Sequence, residues 1–239
     1  MVPEFHPGKN FIPDLTKSEA VLGWIYLLVH VLVLPVLLNF MPWFWPWALP
    51  SATMLNVGYY AVGLLFAAVF FRKLLRREFD RLCDNFLGCV SGFAMAFFLW
   101  YILMMLVQLL FMALGTDIPT NPNDATIDTL TQTERGPTMV MAVFMAPVLE
   151  ELLFRGVVFQ SIRKKHRILA YVVSITLFAL YHIWQYAVVE MDATILLYAL
   201  QYIPITLAIT WAYERSGSLW TAIFFHMLNN FLPFLLPAA

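Results

Sequence analysis

Three ionisable side chains interrupt an apolar run in the stretch Ala146-Pro147-Val148-Leu149-Glu150-Glu151-Leu152-Leu153-Phe154-Arg155-Gly156. A charge at the centre of a bilayer costs about 2.5 to 3.5 kcal/mol on insertion scales, so such residues usually face a protein interior and serve function. Glu151 and Arg155 are four residues apart, which places them on one helical face as a pair. Neighbouring helical residues point about 100° apart, so Glu150 and Glu151 are not expected to share a partner. The sequence therefore predicts a structural ion pair beside an unpaired carboxylate.

The composition of the whole chain is that of a membrane protein. Of its 239 residues, 62% are hydrophobic and 12% are charged, and the mean hydropathy is +0.76. This balance is typical of integral membrane proteins. A net charge of -1, without a basic patch, gives no indication of nucleic-acid binding. Cys83 and Cys89 have neither metal-ligand spacing nor a secreted disulfide pattern. The start of the chain is unlike a signal peptide, so we expect it to be retained.

The apolar runs predict an all-α protein with about seven transmembrane helices. They cover residues 21–47, 52–71, 86–114, 139–162, 168–189, 195–213 and 218–236. Each reaches or approaches the roughly 20 residues that a helix needs to cross a bilayer, and open sheet cannot exist there. Prolines 35, 42, 46 and 50 predict a kink and a Trp-rich interfacial stretch in the first run. Residues 115–137 are predicted to be the only long loop.

The distribution of basic residues predicts the orientation. With seven spans, 12 of the 14 lysines and arginines fall on one side, which is therefore assigned to the cytoplasm together with the N-terminus. The opposite side carries acidic residues and the single basic residue Arg135. We divide the chain into an N-terminal three-helix region, residues 1–138, and a four-helix core, residues 139–236. The first region would contain a cytoplasmic basic loop and an outer polar loop.

Four polar residues are predicted to lie at a similar depth in the core. At about 1.5 Å per helical residue, Glu150, His182 and His226 all fall near mid-membrane on three different spans. His226 and Asn230 are four apart and share a helical face. A carboxylate, two imidazoles and an amide could therefore line one cavity, as general-base hydrolysis or a zinc site requires.

Each of these residues also has a purely structural interpretation. A single histidine in a span often hydrogen-bonds across helices, and an aromatic residue such as Phe178, one turn before a histidine, usually packs. The combination of three ionisable residues at one depth favours function. The other polar residues in the spans are interpreted as packing or interfacial: His30, Asn56, Gln108, Gln185 and Gln201.

Three motifs in this order resemble the CPBP family, the CAAX proteases and bacteriocin-processing enzymes, also called the Abi family. They are Glu150-Glu151-x-x-x-Arg155, Phe178-x-x-x-His182 and His226-x-x-x-Asn230. Their surroundings fit the same pattern, with Ala146-Pro147 before the acids, Phe154-Arg155-Gly156 after them, Ser174, and Gly217-Ser218-Leu219-Trp220 before His226. The resemblance covers residues 139–236, two fifths of the chain, and the first three spans match no pattern of the family.

The resemblance implies a glutamate-dependent intramembrane endopeptidase. In such an enzyme Glu150 and His182 activate a water molecule, and His226 with Asn230 stabilises the oxyanion. The expected supporting residues are Glu151, Arg155 and Phe178. The CAAX-processing members remove a C-terminal tripeptide from prenylated proteins on the cytoplasmic side, so the expected substrate is a membrane-associated or lipidated peptide or protein. The expected location is the plasma membrane of a prokaryote.

The resemblance leaves the cofactor and two other functional classes open. We expect no metal, because Glu150, His182 and His226 lack the helix-borne His-Glu-x-x-His arrangement. A zinc-dependent form, with these three residues as ligands, remains an alternative. A proton-coupled transporter should show an internal repeat, and the chain has none. A non-catalytic membrane scaffold or self-immunity protein would tolerate loss of Glu150, so the complete set of polar residues argues against it.

Overall fold

The computed structural model describes residues 11–44, 50–115 and 117–235. Within these ranges the chain forms helices and no strand, which confirms the predicted all-α class. The α-helices are α1 (Lys17–Leu28), α2 (Leu34–Phe44), α3 (Ala52–Phe70), α4 (Arg72–Asp84), α5 (Phe86–Ala113), α6 (Pro122–Met139), α7 (Ala146–Glu151), α8 (Gln160–Arg163), α9 (Arg167–Tyr181), α10 (Trp184–Val189), α11 (Ile203–Ser216) and α12 (Leu219–Leu235). Part of the predicted Trp-rich stretch, including Pro46, lies outside the described residues, as does the predicted end of span seven at residue 236.

Segments of π- and 3₁₀-helix join several of these helices. The π-helical segments Val29–Val33, Val140–Met145 and Leu152–Phe159 connect α1 to α2, α6 to α7 and α7 to α8. The 3₁₀ segment Ala193–Tyr202 leads into α11. Two of the π segments therefore flank α7, the short helix that carries Glu150 and Glu151. Such segments are frequent at functional sites.

In the part of the chain that the structure describes, four helices are long and apolar enough to cross a membrane. They are Lys17–Leu38, Ala52–Phe70, Phe86–Ala113 and Ala193–Ser216, and they correspond to predicted spans one, two, three and six. The protein is therefore an integral membrane protein. The helices of predicted spans five and seven, Arg167–Tyr181 and Leu219–Leu235, are apolar but shorter. The count of seven spans and the cytoplasmic N-terminus stay predictions.

The prediction of a loop at residues 115–137 is wrong for most of that range, because α6 begins at Pro122. The Asn121 side chain accepts a hydrogen bond from the backbone of Asn123, proline occupies the first turn, and Asp124 adds a favourable acidic charge there. These are helix-start signals, but the polar helix lacks the apolar periodicity on which the span prediction relied. A kink with non-helical dihedral angles occurs at Glu134. The predicted domain boundary at residue 138 falls near the end of α6 and stays a prediction.

The predicted basic loop between spans two and three is also helical. It forms α4, whose Glu78 side chain is fully buried. Arg77 pairs with Asp14 at 2.8 Å and with Glu19 at 2.9 Å. These ion pairs connect α4 to the segment that precedes α1 and to the first turn of α1. The basic residues are therefore partly used to hold the helices together.

The centre of the molecule is the helix that runs through α7 and the following π segment. All eight residues of Leu152–Phe159 are buried. Helix α3 approaches α7 very closely, because a Cβ atom at Gly63 would overlap the side chain of Leu149. Because glycine has no Cβ atom, Gly63 leaves the space that the Leu149 side chain occupies. This close approach brings the polar residue one turn before Gly63, Tyr60, beside Glu150.

Candidate active site

Glu150 is buried, with 2% of its surface exposed, at the edge of an internal cavity. Its Oε1 atom accepts a hydrogen bond from the Tyr60 hydroxyl at 2.8 Å. Its Oε2 atom faces the Nε2 atoms of His182 and His226, at 3.7 and 3.9 Å. Both distances are too long for direct hydrogen bonds. The carboxylate thus has one oxygen held by a phenol and one directed at two imidazoles.

The predicted pair of Glu151 and Arg155 is present, with Arg155 Nη1 3.0 Å from Glu151 Oε1 and both side chains fully buried. The guanidinium also donates to the Thr206 carbonyl and the Thr210 hydroxyl, both at 3.2 Å. It lies over the Phe178 ring, 4.5 Å from the centroid. A buried charge of this kind is stable only with such compensation. Arg155 therefore links α11 and α9 to the central helix.

His226 approaches both glutamates, so the prediction that they share no partner is wrong. Its Nδ1 lies 2.8 Å from Glu151 Oε1, while its Nε2 faces Glu150. The two ring nitrogens lie on different edges of the imidazole, so one ring on α12 can reach two carboxylates that point in different directions. The local charges are then two carboxylates, one guanidinium and the imidazole between them.

His182 lies at the end of α9, where the predicted fifth span is interrupted before α10. Its Nδ1 is 2.9 Å from the Phe178 carbonyl, one turn back. The His182 backbone N–H bonds instead to Leu180, so the side chain has replaced the backbone donor of a regular helix. The Phe178 ring, 1% exposed, packs against both histidines, with centroid distances of 4.5 Å to His182 and 5.7 Å to His226.

A cavity of about 630 Å³ collects the polar residues that the motifs predicted. It is lined by Glu150, Phe178, His182, His226 and Asn230. Asn230 Nδ2 donates to the Ala142 carbonyl at 3.0 Å. An amide nitrogen carries two hydrogens, so one remains for another acceptor. The structure therefore brings all four predicted catalytic residues to the wall of one cavity.

Glu150, His182 and His226 carry atoms that can bind a metal ion. Among the described residues, no group of three or more histidine, cysteine, aspartate and glutamate side chains is arranged to hold a metal ion. Two ligands 2.0 to 2.2 Å from a tetrahedral zinc lie about 3.4 Å apart. The distances from Glu150 Oε2 to the two imidazoles are somewhat longer, at 3.7 and 3.9 Å.

The stretch of chain that carries most of this site is similar to a known protein family. Residues 133–232 match the model described as type II CAAX prenyl endopeptidase Rce1-like. This matched stretch is less than half of the chain and is called the Rce1-like domain here. The resemblance to the CPBP family that the three motifs indicated is thereby confirmed over this region. Comparisons with curated proteins and with solved structures found no match.

The Rce1-like domain does not form the whole cavity. Tyr60 on α3, and Trp100 and Met104 on α5, line it from the region before residue 133. Asp124 and Asp128 of α6, which the sequence analysis assigned to an outer loop, line it as well. The N-terminal region and the Rce1-like domain therefore build this space together.

Tyr60 is the functional candidate that sequence reasoning missed. Tyrosine in membrane proteins usually lies at the interface, whereas Tyr59 and Tyr60 lie in the middle of a candidate span, Ala52–Phe70. A buried tyrosine hydroxyl normally has a hydrogen-bond partner. A mid-span tyrosine pair is thus a signal of a polar contact, but the sequence does not reveal that the contact is Glu150.

Proposed function

We propose that the protein is an intramembrane endopeptidase in which Glu150 and His182 activate a water molecule. The observation that carries the proposal is the convergence of Glu150 Oε2 and two imidazole Nε2 atoms at the wall of one cavity. Polar groups 3.5 to 4 Å apart are commonly bridged by water. The matching family is an endopeptidase family, which agrees with this chemistry.

The hydrogen bonds of His182 suit it to orient that water. Its Nδ1 donates to the Phe178 carbonyl, so a neutral His182 carries its lone pair on Nε2. A water molecule would donate one hydrogen to Glu150 Oε2 and the other to His182 Nε2. Both lone pairs of the water oxygen stay free, and one of them can attack the substrate carbonyl carbon. Glu150 takes a proton as the oxygen attacks and returns it to the leaving amine nitrogen.

His226 is proposed as an oxyanion donor. Its Nδ1–H donates to Glu151, so Nε2 can donate only when the ring is an imidazolium. An imidazolium at this position would lie between two carboxylates, with Nδ1 2.8 Å from Glu151 and Nε2 3.9 Å from Glu150, while Arg155 pairs with Glu151. An imidazolium makes the cluster neutral. The second N–H of Asn230 supplies a further donor, and such donors typically contribute about 10² to 10³ in rate.

The substrate and location are proposed from the same family. We infer a membrane-associated or lipidated peptide or protein as substrate, because the cavity combines the polar site with apolar walls such as Trp100 and Met104. The proposed location is the plasma membrane of a prokaryote, with α4 and the basic residues that follow α8 facing the cytoplasm. The positive charge of these segments supports that orientation.

The test is hydrolysis by the purified full chain in lipid vesicles, with a farnesylated CAAX peptide as the probe and mass spectrometry of the products. Glu150→Gln should lower the rate by about 10² to 10⁴, the contribution of a general base. Glu190→Gln, the same change at an exposed glutamate, is the matched control and should be fully active. Full activity of Glu150→Gln would exclude the mechanism, and absence of hydrolysis by the unchanged protein would favour a scaffold.

Elemental analysis of the active protein separates the water mechanism from the zinc alternative. The metal-free mechanism predicts substoichiometric zinc and full activity after treatment with a chelator. Stoichiometric zinc, whose removal abolishes cleavage and whose return restores it, would instead make Glu150, His182 and His226 metal ligands.

A further inference from the structure

A hydrogen-bonded chain of side chains extends from Glu150 away from the cavity. The Tyr60 hydroxyl bonds to Glu150 Oε1 at 2.8 Å, and its oxygen lies 3.1 Å from the Tyr181 hydroxyl. The Tyr181 hydroxyl is in turn 3.4 Å from His30 Nε2. The chain thus joins α3, α9 and the π segment after α1, and it ends at a histidine that is fully buried.

The carboxylate fixes the direction of every donor in this chain. An ionised Glu150 accepts only, so Tyr60 must donate its single hydroxyl hydrogen to it. Tyr60 can then only accept from Tyr181, and Tyr181 can only accept from His30 Nε2–H. The other ring nitrogen of His30, Nδ1, is buried without a partner among the described residues. A neutral His30 protonated on Nε2 satisfies this arrangement, since its bare Nδ1 needs no acceptor.

The packing around His30 holds the chain in place. Its ring stacks on Tyr59, with centroids 4.1 Å apart, and the Tyr59 hydroxyl donates to the His30 carbonyl at 2.8 Å. Tyr26 stacks on the other side, at 5.6 Å. One turn after Tyr60, Gly63 leaves room for the Leu149 side chain of α7, so α3 packs directly against the central helix. The donors are therefore preorganised by rigid helices.

We propose that Tyr60, Tyr181 and His30 are positioning residues that orient the Glu150 carboxylate for hydrolysis. By holding Oε1, Tyr60 leaves Oε2 directed at His182 and His226, where the water is proposed to bind. Donors in series polarise one another, so Tyr181 and His30 strengthen the bond that Tyr60 makes. The inference rests on the proposed function, because it assigns these residues to the orientation of the catalytic base.

The first test compares Tyr60→Phe with Tyr26→Phe in the farnesylated-peptide assay. Tyr60→Phe keeps the ring but removes a hydrogen bond to a charged group, so kcat should fall about 10- to 100-fold. KM should stay unchanged, since the ring surface in the cavity is retained. Tyr26→Phe is the matched control, because its buried hydroxyl has no hydrogen-bond partner in the described part of the chain. It should be fully active.

The second test asks whether Tyr181 acts through Tyr60. Tyr181→Phe should lower kcat by less than Tyr60→Phe does, and the double variant should be no slower than Tyr60→Phe alone. Residues in one hydrogen-bond network show this kind of non-additivity. His30→Phe in the Tyr60→Phe background should likewise cause no further loss. The positioning role would be overturned if the double variant lost kcat by the product of the two single losses. It would also be overturned if kcat were unchanged in Tyr60→Phe.

An infrared measurement separates this inference from the proposed function. The carboxylate stretching band of Glu150 is identified as the band that Glu150→Gln removes. Tyr60→Phe should shift that band, and Tyr26→Phe should leave it in place. If Glu150→Gln remains active, the proposed function fails, and the band shift alone shows whether Tyr60 holds Glu150. An unshifted band overturns the hydrogen-bonded chain whatever the activity.

Discussion

Replacement of Glu151 by glutamine should destabilise the protein far more than the same change at Glu150. Glu151→Gln removes the charge that faces Arg155 at 3.0 Å, with both side chains fully buried. Breaking a buried ion pair on one side costs about 3 to 5 kcal/mol. Arg155 keeps its bonds to Thr206 and Thr210, and the new amide oxygen can still accept. We therefore expect a loss near the lower limit, about 3 kcal/mol.

Glu150→Gln is the matched comparison, because its nearest hydrogen-bond partner is the neutral Tyr60 hydroxyl. An amide oxygen can accept that bond, so the expected loss is at most about 1 kcal/mol. For a chain of this size, 1 kcal/mol corresponds to about 2 to 4 °C in Tm. Unfolding in detergent, followed by tryptophan fluorescence, should show Tm lowered by about 6 to 12 °C for Glu151→Gln and by no more than about 4 °C for Glu150→Gln. Equal losses would refute the division between a structural and a catalytic glutamate.

Two further predictions concern topology and pH. The first uses cysteines placed at Thr129 and at Lys165 in a variant without Cys83, with an impermeant thiol reagent added outside intact cells. The cysteine at Thr129 should react and the one at Lys165 should not, because 12 of the 14 basic residues are assigned to the inner side. The opposite labelling pattern would invert the topology. Burial raises the pKa of Glu78 to about 7 from an ordinary value of 4.5, so its stabilising contribution is complete below pH 4.5 and is lost as pH rises through about 7. Tm should therefore fall between about pH 5 and about pH 8, and Glu78→Gln should reduce that slope if Glu78 is its source.

The sequence determined the features that depend on local chain geometry. Apolar composition over lengths of about 20 residues predicts membrane helices, and four such helices are present. The spacing of Glu151 and Arg155 determines their pairing, because residues four apart share a helical face whatever the helix packs against. The order and depth of Glu150, His182 and His226 depend on rise per residue in the same way. These were enough to predict Glu150, His182 and His226 in the lining of the cavity, but not Tyr60, Asp124 or Asp128.

The tertiary structure decided the contacts that depend on how helices rotate and approach one another. The sequence places Tyr60 and His30 in spans that match no pattern of the family, and nothing local to them points toward Glu150. Tyr60 contacts it because α3 packs against α7, where Gly63 leaves room for the Leu149 side chain. His30 is linked to it only through Tyr181 and Tyr60. His226 reaches two adjacent glutamates for a similar reason, since the rotation of α12 sets where each ring nitrogen points. Helical periodicity fixes the relative direction of side chains on one helix, whereas the distances between helices follow only from the packing of the whole bundle.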